Sequence, residues 1–304
     1  MWLILAFMSA ALLGCYDSFK KQALKENAVI PVLFLNTLFS SLIFLPFILV
    51  SPLGLLDGSI FHVASGGWEM HKYIVLKAFI VLSSWILGYF GMKHLPLTIV
   101  GPINATRPVM VLIGALLVFG ERLNLWQWIG VLLAVASFLL LSRSGRKEGI
   151  DFKHDHWIYM IIGAALLGAV SGLYDKYLMA PVENGGVGLD RMMVQSWYNI
   201  YQCGMMGVML WLLWWPKHQE TTPFHWSWSI VGVSLFLSTA DFLYFYSLSI
   251  PDAMISIVSM IRRGSVIVSF LFGAWFFHEK NLKAKAFDLA LVLLGMVFLY
   301  LGSC

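Results

Sequence analysis

Arg107 and the adjacent pair Arg262 and Arg263 stand deep inside stretches that are otherwise apolar. A guanidinium keeps its proton in a protein and costs at least ~3 kcal/mol at the centre of a lipid-spanning helix. Such groups therefore face an internal polar space, where their planar forks match the paired oxygens of a carboxylate or phosphate. Arg107 follows Pro96 by eleven residues, about 16 Å of helix at ~1.5 Å per residue, too deep for easy snorkelling to either surface. Asn104, three residues back, shares its face. Pro108 cannot donate to the Asn104 carbonyl, and Gly101-Pro102 loosens the same helix, so a freed carbonyl lies beside the arginine. Successive helical residues point roughly 100° apart, so of Arg262 and Arg263 one can reach the polar space while the other meets a carboxylate. Asp241 is the leading candidate for that carboxylate. A purely structural ion pair is the competing account of both Arg107 and Asp241.

Further polar groups recur at helical spacing. Gln195, Tyr198, Asn199 and Gln202 occupy i, i+3, i+4 and i+7, one face of a helix. They either line a cavity or hydrogen bond neighbouring helices together. The aromatic residues Trp85, Tyr89, Tyr198 and Tyr244 can cover an organic solute, and also suit plain packing. Asp17 and Asp175 can carry a coupling proton if they lie in the cavity. Lys20, Lys21 and Lys176 nearby offer each a simple ion pair instead. Cys15, Cys203 and Cys304 show no paired spacing and read as small apolar filler. His154-Asp155-His156 has the wrong spacing for a helical metal face and reads as loop, so no metal or other cofactor is expected.

The elements that carry these residues are membrane helices. The 304-residue chain is 60% hydrophobic and 12% charged, with mean hydropathy +0.80, against roughly 25% charged for a soluble domain. A span needs about 20 mostly apolar residues. Runs of that kind lie near 2–22, 29–50, 74–92, 96–119, 123–142, 156–179, 192–215, 226–249, 252–277 and 284–302. No long alternating pattern suggests a barrel. Residues 1–13 lack the charged leader of a signal peptide, so the first run reads as a retained helix. The net charge of +4 is scattered over loops, and nucleic acid is not an expected partner.

An internal repeat organises the runs. Gly14-Cys15-Tyr16-Asp17 recurs as Gly172-Leu173-Tyr174-Asp175, and Gly120-Glu121-Arg122 as His278-Glu279-Lys280, both displaced by 158 residues. The same displacement carries the polar stripe of the seventh run onto Thr37, Ser40, Ser41 and Phe44. Five helices per half, an odd number, put the second half into the membrane upside down. The expected fold is an all-α integral membrane protein of ten transmembrane helices in two inverted five-helix repeats. The halves are residues 1–142 and 156–304, joined by a loop at 143–155, with Glu121 and Glu279 capping or anchoring their helix ends. In this architecture solute sites sit near the midplane between halves.

With Phe119-Gly120-Glu121-Arg122 and Phe277-His278-Glu279-Lys280 closing the fourth helix of each half, the chain resembles the drug/metabolite transporter superfamily, EamA type, over nearly its whole length. The resemblance implies alternating access through a central cavity lined mainly by helices 1 to 4 and 6 to 9. Met260-Ile261-Arg262-Arg263, followed by Val266-Ile267-Val268-Ser269, is similar to the ninth helix of the organic-phosphate and nucleotide-sugar branch, where a basic pair meets a phosphate. The small four-helix multidrug members carry a midmembrane glutamate in their first helix. Here the nearest acid is Asp17, close to a helix end, so export of polyvalent cations is disfavoured.

With Lys176 and the end-lying acids set aside, three arginines face one Asp241, a positive surplus. The expected function is a secondary carrier for a small polar metabolite, anionic or zwitterionic, bearing a carboxylate or phosphate, and no enzyme. Arg107, Arg262 and Arg263 form its anion site. The protein is expected in a bacterial-type inner membrane, as a monomer or homodimer. A flippase for a lipid-linked anion, or an enzyme acting on a lipid or isoprenoid phosphate, is the alternative. Twelve Lys and Arg follow odd-numbered helices and four follow even-numbered ones, which places both termini outside. The family resemblance implies both in the cytoplasm.

Overall fold

Helix satisfies its own backbone donors and acceptors in lipid without closing a barrel, and the apolar runs become helices. The computed structural model describes residues 2–107, 109–110, 124–146, 152–179, 181–250, 258, 261–277 and 282–302, and no strand occurs among them. The helices are α1 (Trp2–Ala23), α2 (Val29–Val50), α3 (Trp68–His94), α4 (Leu97–Ala105), α5 (Leu125–Arg146), α6 (His156–Met179), α7 (Arg191–Met209), α8 (Trp228–Ser249), α9 (Ser265–Trp275) and α10 (Leu282–Leu301). Of these, α1, α2, α3, α6 and α8 are each long and apolar enough to cross a membrane. Pro108, Cys304 and the signatures around Glu121 and Glu279 lie outside the described residues.

Helix α3 starts at Trp68, ahead of its apolar run, because Glu69 sits in its first turn and pairs with Lys72 one turn on, both favourable at a helix start. Lys77, read from sequence as a loop residue, is consequently inside α3 and buried. Lys20 and Lys285, also counted with loops, are buried as well. Removing all three from the loop count leaves the charge imbalance with the same sign.

The packing follows the repeat. Helix α1 packs on α8, α3 on α6, α2 on α7, α4 on α9 and α5 on α10, a set of pairs unchanged when α1–α5 are exchanged for α6–α10. Ser9 Oγ donates to the Ala240 carbonyl at 2.6 Å while Phe19 lies against Gly232, so α1 and α8 are antiparallel. Ser84 to Ala164 and Lys77 to Asp175 make α3 and α6 antiparallel. Asn27 to His225, Asn36 to Ser234 and Ser40 to Ser238 make α2 and α8 parallel. Successive crossings therefore alternate in direction, and each helix of the second half runs opposite to its counterpart in the first.

Gly14 lets α1 approach α9. A Cβ there would stand 2.4 Å from Val268 Cβ and 2.8 Å from the Ser265 carbonyl oxygen. Gly14→Ala should overpack this crossing and cost about 1–3 kcal/mol, seen as a lower unfolding temperature of the purified protein. The repeat-equivalent Gly172 faces open space, so Gly172→Ala should leave that temperature unchanged or raise it slightly.

Candidate functional site

Both arginine-bearing helices are interrupted at the same repeat position. Helix α4 ends at Ala105, and Thr106 forms a turn just before Arg107. Residues 261–263 are helical and Gly264 forms a turn before α9 begins. Thr106 and Gly264 are 158 residues apart. Each break sets its arginines at the inner end of a half-helix, where backbone groups are not all used by the helix itself.

The three guanidiniums are electrostatic neighbours of one another. Arg107 Nη2 donates to Asn104 Oδ1 at 3.0 Å. Its guanidinium rests on α6 at Gly168, where a Cβ would lie 2.7 Å from Arg107 Cζ. Only glycine leaves that room, and nothing in the sequence around 168 announces the contact. Arg262 pairs with Asp241 and lies 4.2 Å over the Tyr244 ring. Tyr198 donates its hydroxyl to the second Asp241 oxygen at 3.0 Å. The Arg263 guanidinium makes no hydrogen bond or ion pair with a described residue, and Arg107 and Arg262 are among its electrostatic neighbours. Arg107 Nε and Arg262 Nε also lack a partner among the described residues. All three arginines are surrounded by protein yet keep intermediate accessibility.

The acids at the centre have separate partners. Asp17 Oδ1 accepts from Lys20 Nζ at 3.0 Å, and Asp17 Oδ2 accepts from Ser269 of α9 at 3.2 Å. Lys20 also reaches the Tyr16 hydroxyl and lies over the Tyr16 and Tyr89 rings. Asp175 pairs with Lys77 of α3, whose ammonium lies 5.0 Å over the Tyr198 ring. Lys77 lies within the apolar run near 74–92, close to its start, where a lysine is easily assigned to the preceding loop. A lysine flanked by apolar residues on both sides was the available signal.

The polar stripe divides by what its members bind. Gln195 Nε2 donates to the Ser238 carbonyl at 3.3 Å, Asn199 Nδ2 to the Gln195 carbonyl at 2.8 Å, and Ser41 Oγ to the Asn199 carbonyl at 2.8 Å. These bonds tie α7 to α8 and α2. Gln202 is fully buried with neither amide atom bonded to a described residue. On the second run Thr37, Ser40 and Ser41 are buried and hydrogen bonded, and Phe44 joins an apolar cluster. Asn36, not singled out from sequence, donates to the Tyr89 hydroxyl at 3.0 Å. Trp85 packs with the core around Leu82 and Tyr89. Away from the centre, Asp155 Oδ1 accepts from Trp157 N at the start of α6. Among the described residues no group of His, Cys, Asp and Glu is placed to hold a metal ion.

Residues 1–143 belong to the EamA-like transporter family. This family of the drug/metabolite transporter superfamily places the chain among membrane transporters of small solutes. The architecture extends over both halves. A crystal structure of a protein only 13% identical superposes with a TM-score of 0.65 over 98% of this chain and 96% of its own, and 26 solved chains match in all. At that identity the likeness concerns the fold. No curated protein shows significant sequence similarity to the chain.

Proposed function

We propose that this EamA-like transporter carries a small organic anion, bearing a carboxylate or phosphate, by alternating access between the two inverted halves, residues 1–142 and 156–304. One observation carries the reading. The three central carboxylates are each matched to a different cation, Asp17 to Lys20, Asp175 to Lys77 and Asp241 to Arg262, so Arg107 and Arg263 have no carboxylate among the described residues. Two uncompensated guanidiniums in an enclosed space favour a solute that brings negative charge and accepts paired hydrogen bonds. Asn104 holds the Arg107 fork, while Tyr198, Asp241 and Tyr244 hold Arg262 beside it. A bacterial-type inner membrane is the proposed location.

Asp17 and Asp175 are the proposed coupling groups. Their lysines differ in a way that bears on movement. Lys20 is on the same helix as Asp17, whereas Lys77 joins α3 of the first half to Asp175 on α6 of the second. Protonation of Asp175 removes the attraction across the halves, so a proton can loosen one side of the bundle without loosening the other.

The test is a thermal-stability screen of the purified protein with carboxylates, phosphates, amines and metal cations. A ligand that binds the folded form at about 100 times its Kd stabilises it by ~2.7 kcal/mol. Organic anions should raise the unfolding temperature and cations should not. Stabilisation by organic cations alone would remove the basis of the assignment.

A further inference from the structure

Gln202 and Asn36 are each 0% exposed, yet Gln202 Oε1, Gln202 Nε2 and Asn36 Oδ1 have no partner among the described residues. A buried amide without partners is costly, and residues that merely join helices do not have this problem. Gln195 and Ser41 complete bonds between helices, and the Asn199 amide donates to a carbonyl of its own helix. Ser41 on Asn199 and Phe34 on Gly207 fix the register of α2 against α7, which brings the α2 turn of Asn36 and Ser40 beside the α7 turn of Gln202. Helix α8 closes the third side, with Ser238 Oγ 3.2 Å from Ser40 Oγ. Asn36 also donates to Tyr89, which neighbours Tyr16 and the Asp17–Lys20 pair. Asn36 thus stands on the polar seam that reaches Arg107 through Tyr16 and Asp17, with Gln202 on the neighbouring turn of α7.

Neither amide hydrogen bonds a charged side chain among the described residues. Such a group cannot compensate an ion, but an amide donates and accepts side by side, as a hydroxyl does. We propose that Gln202 and Asn36 form a neutral second subsite that selects hydroxyl-bearing organic anions, whose charged end rests on Arg107 and Arg263. The inference builds on the anion reading above and narrows its substrate class. Gln195 and Tyr198, engaged with α8, and Asn199, engaged with its own helix, take no part in reading the hydroxyls.

The experiment compares two matched pairs on the purified protein in nanodiscs: ribose 5-phosphate against pentyl phosphate, and ribonate against pentanoate. Thermal stabilisation is titrated for the wild type and for Gln202→Met, Asn36→Leu and Arg263→Gln. A site whose buried polar groups expect a hydroxyl strongly rejects an analogue lacking it. The hydroxylated member of at least one pair should act at a concentration at least ~10-fold lower than its alkyl partner, and the responding pair tells phosphate from carboxylate. Gln202→Met and Asn36→Leu should each reduce that preference to within about threefold while leaving the alkyl anion's midpoint unchanged. Gln202→Met removes no bond to a described residue, whereas Asn36→Leu also removes the bond to the Tyr89 hydroxyl, and two separate variants guard against one failing to fold. Arg263→Gln should weaken both members of the pair alike. If alkyl anions bind the wild type as well as hydroxylated ones, or if the preference survives in both amide variants, the second subsite is overturned and the anion site stands. If no member of either pair stabilises the wild type, the hydroxylated-anion class is wrong. Should Arg263→Gln also leave stabilisation by every other anion unchanged, the anion site falls with it.

Discussion

Arg263→Gln should lower proteoliposome uptake of the stabilising anion by about 10- to 100-fold while leaving the folded protein as stable as before. The magnitude follows from losing a hydrogen bond to a charged group, ~1.5–3 kcal/mol, at about 1.4 kcal/mol per tenfold. The fold is spared because Arg263 has no ion pair with a described residue, so its removal strands no carboxylate. Arg262→Gln should behave in the opposite way. It leaves Asp241 buried with the Tyr198 hydroxyl as its one remaining hydrogen-bond partner among the described residues, and loss of one partner of a buried pair costs roughly 3–5 kcal/mol. Uptake and unfolding temperature measured on both variants separate the two roles. Equal destabilisation by the two substitutions would show that Arg263 is structural after all. Wild-type uptake by Arg263→Gln would remove it from the site.

Lys77→Met should be among the most damaging single changes in the protein. The Lys77 side chain is 3% accessible and Asp175 12%, so the variant confines an uncompensated carboxylate between α3 and α6. The same ~3–5 kcal/mol applies, enough to deplete a marginally stable membrane protein from the purified fraction. The double variant Lys77→Met with Asp175→Leu removes both charges and should recover most of the loss, since apolar replacement of a whole buried pair is near neutral or stabilising by ~1–4 kcal/mol. Unfolding temperature and yield of the two variants check this. The recovered double variant then tests coupling: if Asp175 carries the proton, its uptake no longer responds to an imposed pH gradient. A double variant that stays as unstable as Lys77→Met would show that the ion pair does not dominate that interface.

The apolar runs were legible in the sequence because lipid demands long apolar stretches, and the first, second, fifth, sixth, eighth and tenth agree with their helices to within four residues at each edge. Helix α3 extends beyond its run: Trp68 to Lys72 belong to it through first-turn electrostatics and not through hydropathy. The breaks beside Arg107 and Arg263 were half visible. Gly101-Pro102 and Pro108 marked the first, while Gly264 alone offered little for the second. Repeat position ties them together, since Thr106 and Gly264 are equivalent. Asp241 was proposed as a carboxylate for one of the adjacent arginines, and Arg262 is the one that meets it. The Asp175–Lys77 pair was not foreseen, because its members are 98 residues apart and a lysine near a helix start looks like a loop residue.

Composition, run length and the 158-residue displacement determined by themselves that this chain is a bundle of ten membrane helices built twice. Those properties are enforced residue by residue, by the cost of exposing polar backbone and charge to hydrocarbon. Which charges cancel and which remain was decided only by the tertiary structure. An ion pair depends on a few ångströms between side chains of different helices, and the register of α3 on α6 or of α8 beside Arg262 has no signature in local sequence. The same holds for Gln202 and Asn199, two amides on one helical stripe. Their spacing is equivalent, but one faces a carbonyl on its own helix and the other finds no partner among the described residues.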